Sequence, residues 1–501
     1  MSAAATGVRA PAGVDPQLYN EDLRPVERSE RNWSWLNYTT VWMGMVHNIV
    51  SYTTAASLIS LGMSVTQAII TVATANLVLI LAMCANGVAG AKYGVPFPVL
   101  MRAAFGYKGA QIPVLVRAAV AMFWFAVQTY AGSVAINAII GALIPAWKDL
   151  DGQILGMGVN NWLAFGLFWA LHLIVINHGM ARVRVFELWA GPLVLVMALG
   201  LVIWALDKAH GFGPLFHQGS GLHGHEFWVV FGTAVTGLIG TWSTLVLNIP
   251  DFTRFSRSQR DQMIGQVVGL PITALVFSFM SILITSGTVA AFGEPVADPV
   301  QLLIRMDSTP VLILGGLALL IATLSVNVAA NVVSPAYDLV NLFPRKLTFV
   351  SAGIISTVLA VVFVPWLWFQ HADRVFKVLN IIGGALGPVA GIMLVDFFLL
   401  RRKRYDLRSL YSRAGQYAYQ AGWNVRGLTA LAIGLVAALA GNIVPGLGGL
   451  ADYAWFIGLA VGAIAYYVAM LPDASVAHAR EHISGVDPIE HEDVAAALEL
   501  A

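Results

Sequence analysis

The side chains best suited to binding chemistry are aromatic and amide groups inside long apolar stretches. Trp124 and Gln128 are four residues apart, so a helix would place them on one face. An aromatic plate beside an amide, which both donates and accepts hydrogen bonds, suits a flat ring with N–H and C=O groups on its edges. For Trp124 alone, packing against lipid or core would be the better interpretation, so the hypothesis rests on the pair.

Two other apolar stretches contain clustered polar groups. In the first, His47 and Asn48 are neighbours, which is compatible with a polar break in a helix and equally with a hydrogen bond between helices. In the second, Ser325 precedes Asn327 and Asn331, and the two asparagines are again four residues apart. Polar side chains are costly on a lipid-facing helix, so we expect most of this second set to face the protein interior.

A further stretch combines glycine with an aromatic residue. Gly240, Thr241 and Trp242 follow one another, and a glycine at this point would let the helix unwind around a ligand. Asp251 follows the stretch, and we expect it to pair with a basic residue such as Arg254.

Several classes of function are excluded by what the sequence lacks. It contains no Walker-type phosphate-binding motif and no poised acid–base pair inside a span, so we predict neither direct use of ATP nor an enzyme. Cys84 is the only cysteine, and no cluster of histidines or carboxylates indicates a catalytic metal. A net charge of +1 argues against nucleic acid as a partner.

The elements that must position these residues are membrane spans. The chain is 58% hydrophobic and 11% charged, whereas soluble domains carry about a quarter charged residues. Because a span needs about 20 mostly apolar residues, we predict an all-α polytopic membrane protein with twelve transmembrane helices. These lie near residues 38–62, 65–90, 112–143, 160–178, 185–206, 227–249, 265–290, 310–334, 347–368, 376–400, 427–446 and 452–471.

Basic residues beside the spans predict the orientation. With the N-terminus in the cytoplasm, 23 of the 28 Lys and Arg residues, Arg117 among them, lie in inner segments. An even number of spans returns the C-terminus to the cytoplasm, and we expect the protein in the cell (inner) membrane. Residues 91–111, an inner segment with Pro96, Pro98 and Gly106, are predicted to be partly interfacial or re-entrant.

The two candidate helix breaks, in spans 1 and 6, are five spans apart. Secondary transporters often consist of inverted repeats with interrupted helices at matching positions. We therefore predict a transporter domain between cytoplasmic segments at both ends of the chain. The predicted parts are an N-terminal segment 1–34, a transporter domain 35–471 (first repeat about 35–206, second repeat about 227–400, two extra helices about 427–471) and a C-terminal tail 472–501.

Four segments resemble the nucleobase–cation symporter family, which includes hydantoin, allantoin, uracil and cytosine permeases. They are residues 42–48, 248–255, 327–337 and 387–391. The resemblance extends from about Asn20 to Leu471, and the first two segments are most similar to the bacterial allantoin permease branch. It implies a leucine-transporter-like fold with two inverted five-helix repeats.

The resemblance also implies a substrate site. The family holds its substrate ring between two tryptophans and binds the ring edges with polar groups of spans 1, 3 and 8. The matching positions are Trp124 and Trp242 for the tryptophans, and Asn48, Gln128 and Asn331 for the polar groups. Thr241 stands where the hydantoin carrier of the family has glycine, and Asn48 stands where that carrier has glutamine.

A sodium site is implied as well. Its backbone carbonyl positions match Gly44, His47 and Ala322, and one of its two hydroxyls matches Ser325. The other hydroxyl position is Val326, which has no side-chain oxygen. Because sodium needs enough oxygen ligands, sodium and the proton both remain candidates for the coupling ion.

The expected function is secondary active import of a heterocyclic ureide or nucleobase, with allantoin favoured, by alternating access coupled to a cation. Alternatives are a uracil, cytosine or hydantoin permease of the same family and an amino-acid transporter of the same fold. We expect no cofactor, a small heterocyclic substrate and the lipid bilayer as partners, and a monomeric protein.

Overall fold

The computed structural model describes residues 14–150, 152–177, 180–217, 221–367, 372–444 and 446–481. The first 13 residues and those after 481, which belong to the two predicted cytoplasmic segments, lie outside the described part of the chain.

Helices make up nearly all of the described secondary structure. The α-helices are α1 Trp35–Val46, α2 Ile49–Ser60, α3 Val65–Tyr93, α4 Phe97–Phe105, α5 Gln111–Leu143, α6 Val159–Asn177, α7 Met180–Lys208, α8 Phe212–His217, α9 Gly224–Asn248, α10 Pro250–Thr253, α11 Gln259–Phe292, α12 Pro299–Arg305, α13 Thr309–Asn331, α14 Val333–Leu342, α15 Phe349–Ala360, α16 Ala372–Leu394, α17 Leu407–Leu410, α18 Val425–Ile443, α19 Gly448–Ala451, α20 Ala454–Met470 and α21 Ala474–Glu481. A π-helix, Val395–Leu400, extends α16. The strands β1 Gln153–Ile154 and β2 Met157–Gly158 form one antiparallel hairpin, so the predicted all-α class is confirmed.

Nine helical segments in the described residues are long and apolar enough to cross a membrane. Two more apolar helices, α2 and α20, are shorter. Multiple membrane-spanning helices are thus present as predicted, whereas the exact number of twelve is not confirmed and stays a prediction.

The packing of the helices repeats when five spans are added. We number α1 with α2 as span 1, then α3, α5, α6 and α7 as spans 2 to 5, and α9, α11, α13 with α14, α15 and α16 as spans 6 to 10. Span 1 packs on span 7 as span 6 packs on span 2, and span 5 packs on span 7 as span 10 packs on span 2. Because five is odd, the second set starts from the opposite face, as an inverted repeat requires.

Span 6 differs from the sequence prediction. Helix α9 is continuous from Gly224 to Asn248, through Trp242, so the predicted unwinding around the tryptophan is wrong. Gly240 serves close packing instead, since a Cβ there would lie 2.1 Å from the carbonyl oxygen of Leu379 on α16. The interruption comes after the helix, between Asn248 and Pro250. Ile249 keeps helical dihedral angles, φ −51° and ψ −29°, and the helical hydrogen bonds stop because Pro250 has no N–H to donate.

The segment 91–111 contains α4, every residue of which is buried in protein. This burial argues against an interfacial position of α4 and is compatible with the re-entrant alternative. A carboxylate oxygen of Asp251 accepts a 2.8 Å hydrogen bond from the backbone N–H of Phe97, the first residue of α4, where the helix dipole favours negative charge. Asp251 therefore caps a helix instead of pairing with Arg254, whose guanidinium donates to the carbonyl of Asp22.

The close approach of α9 and α16 can be tested at Gly240. Alanine at this position sets a methyl group against a backbone carbonyl, and we expect the overpacking to cost about 1–3 kcal/mol. The measurement is the midpoint of thermal unfolding of the purified protein in detergent, which should fall. Gly200→Ala on α7 is the matched control, since a Cβ there meets no atom within 4 Å; equal midpoints for the two variants would contradict the packing.

Candidate functional site

Span 1 is interrupted between α1 and α2 by two residues with extended or turn-like backbone. Helix α1 ends at Val46, and Asn48 has φ −148° and ψ 168°. The Asn48 side chain stabilises both new helix ends: Nδ2 donates to the Met45 carbonyl at 3.0 Å, and Oδ1 accepts from the Ser51 N–H at 3.0 Å. Unpaired backbone groups are costly inside a membrane, and the Asn48 side chain lowers this cost by pairing some of them. The helix-break interpretation of His47 and Asn48 is confirmed.

The break is joined directly to α5. The Nε2 atom of Gln128 donates a 3.1 Å hydrogen bond to Oδ1 of Asn48, and both side chains are buried. The Oε1 atom of Gln128 is buried with no hydrogen-bond partner among the described residues. An unpaired buried acceptor costs about 1–3 kcal/mol, so this oxygen is suited to accept a hydrogen bond from a ligand.

Trp242 and Thr241 lie on α9 beside the break. The rings of Trp242 and Trp42 meet edge-on, with centroids 6.0 Å apart. Both α9 residues line a cavity of about 30 Å³ together with Ser51 and Asn76. That volume corresponds to about one water molecule, so a heterocycle enters only if side chains or helices move apart.

Trp124 is buried on α5, one helical turn from Gln128. Its ring packs edge-on against that of Phe123, with centroids 5.8 Å apart. Trp124 is not among the residues that line the small cavity beside Trp242. The two predicted stacking residues thus lie on different helices around span 1, and the cavity reaches one of them.

Asn331 lies at the end of α13, within a buried amide cluster. Its Nδ2 donates to Oδ1 of Asn327 at 2.9 Å. The Asn327 amide in turn lies 2.9 Å from Nε2 of His172 on α6. Sequence reasoning did not connect His172 with these asparagines, although a histidine in the middle of a predicted span was a signal that could have been pursued.

The predicted cation ligands lie where α1 packs against α13. The backbone N–H of Asn48 bonds to the Val46 carbonyl and that of Ser51 to a side chain. The carbonyls of Gly44 and His47 therefore lose the donors that a continuous helix would supply.

On α13, Ala322, Ser325 and Val326 are all buried. The Ser325 hydroxyl has no hydrogen-bond partner among the described residues. Freed carbonyls and an unpaired hydroxyl are suitable ligands for a hard cation, whereas Val326 contributes an apolar surface.

Two ion pairs that are fully buried among the described residues were missed by the sequence analysis. One joins Arg401 to Asp396 at 2.9 Å, and the other lies on α5. Arg117, predicted to lie in an inner segment, is fully buried within α5 and pairs with Asp338 of α14 at 2.6 Å. Arg117 was counted among the flanking charges because it is close to the start of a predicted span, where basic residues normally flank the membrane, and no partner was predicted for it. The pair ties α5 to the second half of span 8.

Asn48 offers a test of the helix break. We expect Asn48→Ala to remove the cap of α2 and the donor to the α1 carbonyls, at a cost of about 0.5–2 kcal/mol for the cap alone. Asn48→Ser is the matched control, because serine also caps helices. Thermal unfolding in detergent should show a lower midpoint for alanine than for serine, and the opposite order would refute the capping role.

Comparison with known proteins gives consistent results. Residues 25–458 match a family model described as permease for cytosine/purines, uracil, thiamine, allantoin. The chain is 44% identical over 484 residues to the allantoin permease of Bacillus subtilis (strain 168), covering 95% of this chain and 97% of that protein. It is 37% identical over 436 residues to a purine-uracil permease of Arabidopsis thaliana, covering 86% of this chain and 72% of that protein.

A solved structure extends the likeness to the fold. Mhp1, a nucleobase-cation-symport-1 family transporter in a closed conformation with bromovinylhydantoin bound, has a TM-score of 0.78 and 25% identity. The match covers 96% of this chain and 99% of that one, so the predicted leucine-transporter-like fold is confirmed. From the match over residues 25–458 and the 44% identity, the protein belongs to the family of permeases for cytosine/purines, uracil, thiamine and allantoin.

Proposed function

We propose that the protein imports a heterocyclic ureide, with allantoin as the first candidate, by alternating access coupled to a cation. The observation that carries the proposal is the pair of buried amides, Gln128 and Asn48, joined at the break of span 1. The choice of allantoin is supported by the 44% identity to the Bacillus subtilis allantoin permease.

In the proposed complex, the substrate ring lies between Trp124 and Trp242. Gln128 and Asn331 form hydrogen bonds with its amide edges. The amide of Asn48 is already bonded to Met45, Ser51 and Gln128, so it contacts the ring by exchanging one of these bonds. Aromatic stacking contributes about 0.5–1.5 kcal/mol beyond burial, and each neutral hydrogen bond about 1 kcal/mol net. Together with burial of the ring, a few of each give binding in the micromolar range, about −8 kcal/mol.

Entry of the ring requires a conformational change. The cavity of about 30 Å³ beside Trp242 has to open, and Thr241 on its wall is bulkier than the glycine of the hydantoin carrier. We propose that the two repeats, about 35–206 and 227–400, move relative to each other. The protein lies in the plasma membrane, with both of its termini in the cytoplasm.

The alternative substrates are of two kinds, other neutral heterocycles and amino acids. Uracil, cytosine and hydantoin present similar N–H and C=O edges and would use the same amides. An amino acid carries a carboxylate, which in this fold binds unwound backbone of span 1; here the Asn48 side chain already occupies the ends of the break. The geometry therefore supports a neutral ring better than a carboxylate.

Uptake of radiolabelled allantoin tests the proposal. Cells that lack their own allantoin uptake should accumulate it when they express the protein, and Trp124→Ala should lower uptake to the background because the stacking surface is lost. Trp228→Ala on α9 is the matched control, since Trp228 is 60% exposed.

Competition then identifies the substrate class. Unlabelled allantoin, hydantoin, uracil, cytosine and leucine are compared for their inhibition of labelled allantoin uptake. Surface expression is measured for every variant. Unchanged uptake in Trp124→Ala would refute the stacking model, and strong competition by leucine would favour the amino-acid transporter.

The coupling ion can be tested at the valine beside Ser325. Val326→Thr supplies the missing hydroxyl, so if sodium binds here the sodium concentration for half-maximal uptake should fall several-fold. Val328→Thr, also buried on α13, is the matched control. Uptake that is insensitive to sodium in both variants, and that a protonophore abolishes, would instead establish the proton as the coupling ion.

A further inference from the structure

A chain of buried hydrogen bonds leads from Asn331 to a histidine that the proposed substrate contacts do not include. His172 on α6 is fully buried, and its ring meets those of Phe125 and Phe168 edge-on, with centroids 5.0 and 4.6 Å away. Asn327 lies between His172 and Asn331. The aromatic neighbours hold the imidazole in one orientation, so its two nitrogens face fixed partners.

A backbone carbonyl determines the tautomer of His172. Nδ1 lies 2.7 Å from the carbonyl oxygen of Phe168, and a carbonyl only accepts, so Nδ1 carries the proton. In a neutral imidazole the other nitrogen, Nε2, is then an acceptor. Nε2 lies 2.9 Å from the side-chain amide of Asn327, so it requires the NH₂ group of that amide on its side.

The carbonyl of Phe125 leads to the same orientation independently. It lies 3.1 Å from Nδ2 of Asn327. The Thr129 hydroxyl donates to this same carbonyl at 2.7 Å, so its oxygen can accept from Asn327 Nδ2, 3.2 Å away. Amide orientation is often ambiguous, but here three acceptors surround one amide nitrogen.

The orientation of Asn327 is transmitted to Asn331. With its nitrogen directed to His172 and α5, Asn327 presents Oδ1 to Asn331, and the Asn331 atom 2.9 Å away must be its NH₂ nitrogen. The Asn331 carbonyl oxygen therefore points away from the cluster. The Asn331 oxygen is thereby directed to a further partner as an acceptor, while the second N–H of its amide stays available as a donor.

We propose that His172 is a positioning residue that, through Asn327, orients the Asn331 amide with its oxygen toward the substrate ring. This inference rests on the proposed function, in which Asn331 binds one edge of the ring. The ring position facing the Asn331 oxygen must then carry an N–H group, whereas a neighbouring ring carbonyl can accept from the second N–H of the same amide. A ring with a methyl group on that nitrogen is rejected, because it would cover the Asn331 oxygen without pairing it.

The test compares N-methylated rings as competitors of radiolabelled allantoin uptake. Hydantoin, 1-methylhydantoin and 3-methylhydantoin are titrated against the parent protein. The readout is the half-inhibitory concentration of each methyl isomer divided by that of hydantoin. We expect at least one methyl isomer to compete about tenfold more weakly or worse, as an unpaired buried acceptor implies.

Two substitutions of His172 separate positioning from packing. His172→Gln places an acceptor near the former Nε2 and should retain the discrimination of the parent. His172→Leu fills the space without an acceptor and leaves Asn327 held only by the Phe125 carbonyl and the Thr129 hydroxyl, so the orientation of the two amides is less well fixed and the ratio should fall below that of the parent. Ser133→Ala, which removes another buried hydroxyl of α5, is the matched control and should keep the parent ratio.

A further variant tests the same link in case His172→Leu does not fold. Asn327→Ala removes the amide between His172 and Asn331, and it should also bring the ratio toward one. A role of His172 in packing alone would lower uptake without changing the ratio, so a parental ratio in His172→Leu or Asn327→Ala overturns the proposal. If the parent does not take up allantoin, the proposed function fails and the role of Asn331 with it.

Discussion

The interruption of span 1 is the constraint on which the rest of the site depends. A helix that stops inside a membrane exposes carbonyl and N–H groups that water cannot satisfy. The Asn48 side chain satisfies part of this demand at both helix ends, through Met45 and Ser51. Because it does so, the carbonyls of Gly44 and His47 are released from helical hydrogen bonding next to α13. One asparagine thus permits a break that leaves backbone carbonyls free, as the proposed substrate and cation sites require.

Helix α5 connects the two groups of amides. On one side, Gln128 donates to Asn48 at the break. On the other, the carbonyl of Phe125 and the hydroxyl of Thr129 hold Asn327, which in turn holds Asn331. Every amide proposed to bind the ring is therefore oriented by a second buried partner, which reduces the number of hydrogen-bond patterns that a ligand can satisfy.

The surrounding helices provide rigidity. Helix α9 is continuous past Trp242, and Gly240 lets it approach the backbone of α16. The buried ion pair of Arg117 and Asp338 ties α5 to α14. Breaking a buried pair by removal of one partner typically costs about 3–5 kcal/mol.

Much of this protein was predictable from its sequence because the membrane restricts what an apolar chain can do. Apolar runs predicted the spanning helices, and polar residues within them, such as Asn48, Gln128 and Asn331, identified where the interior must be polar. The helix break at His47 and Asn48 was one of two open interpretations, and it required the structure.

Tertiary packing decided what local pattern could not. Gly240 has the same local sequence signal whether a helix unwinds or packs closely, and only the backbone of α16 beside it distinguishes the two. Arg117 looked like a flanking charge until Asp338, more than 200 residues away, appeared as its partner. The orientation of Asn331 likewise depends on His172 and on carbonyls of two other helices. The sequence by itself determined which residues are polar inside the membrane, and the tertiary structure determined which atom of each one donates and which accepts, because hydrogen bonds between distant segments exist only after the helices have packed.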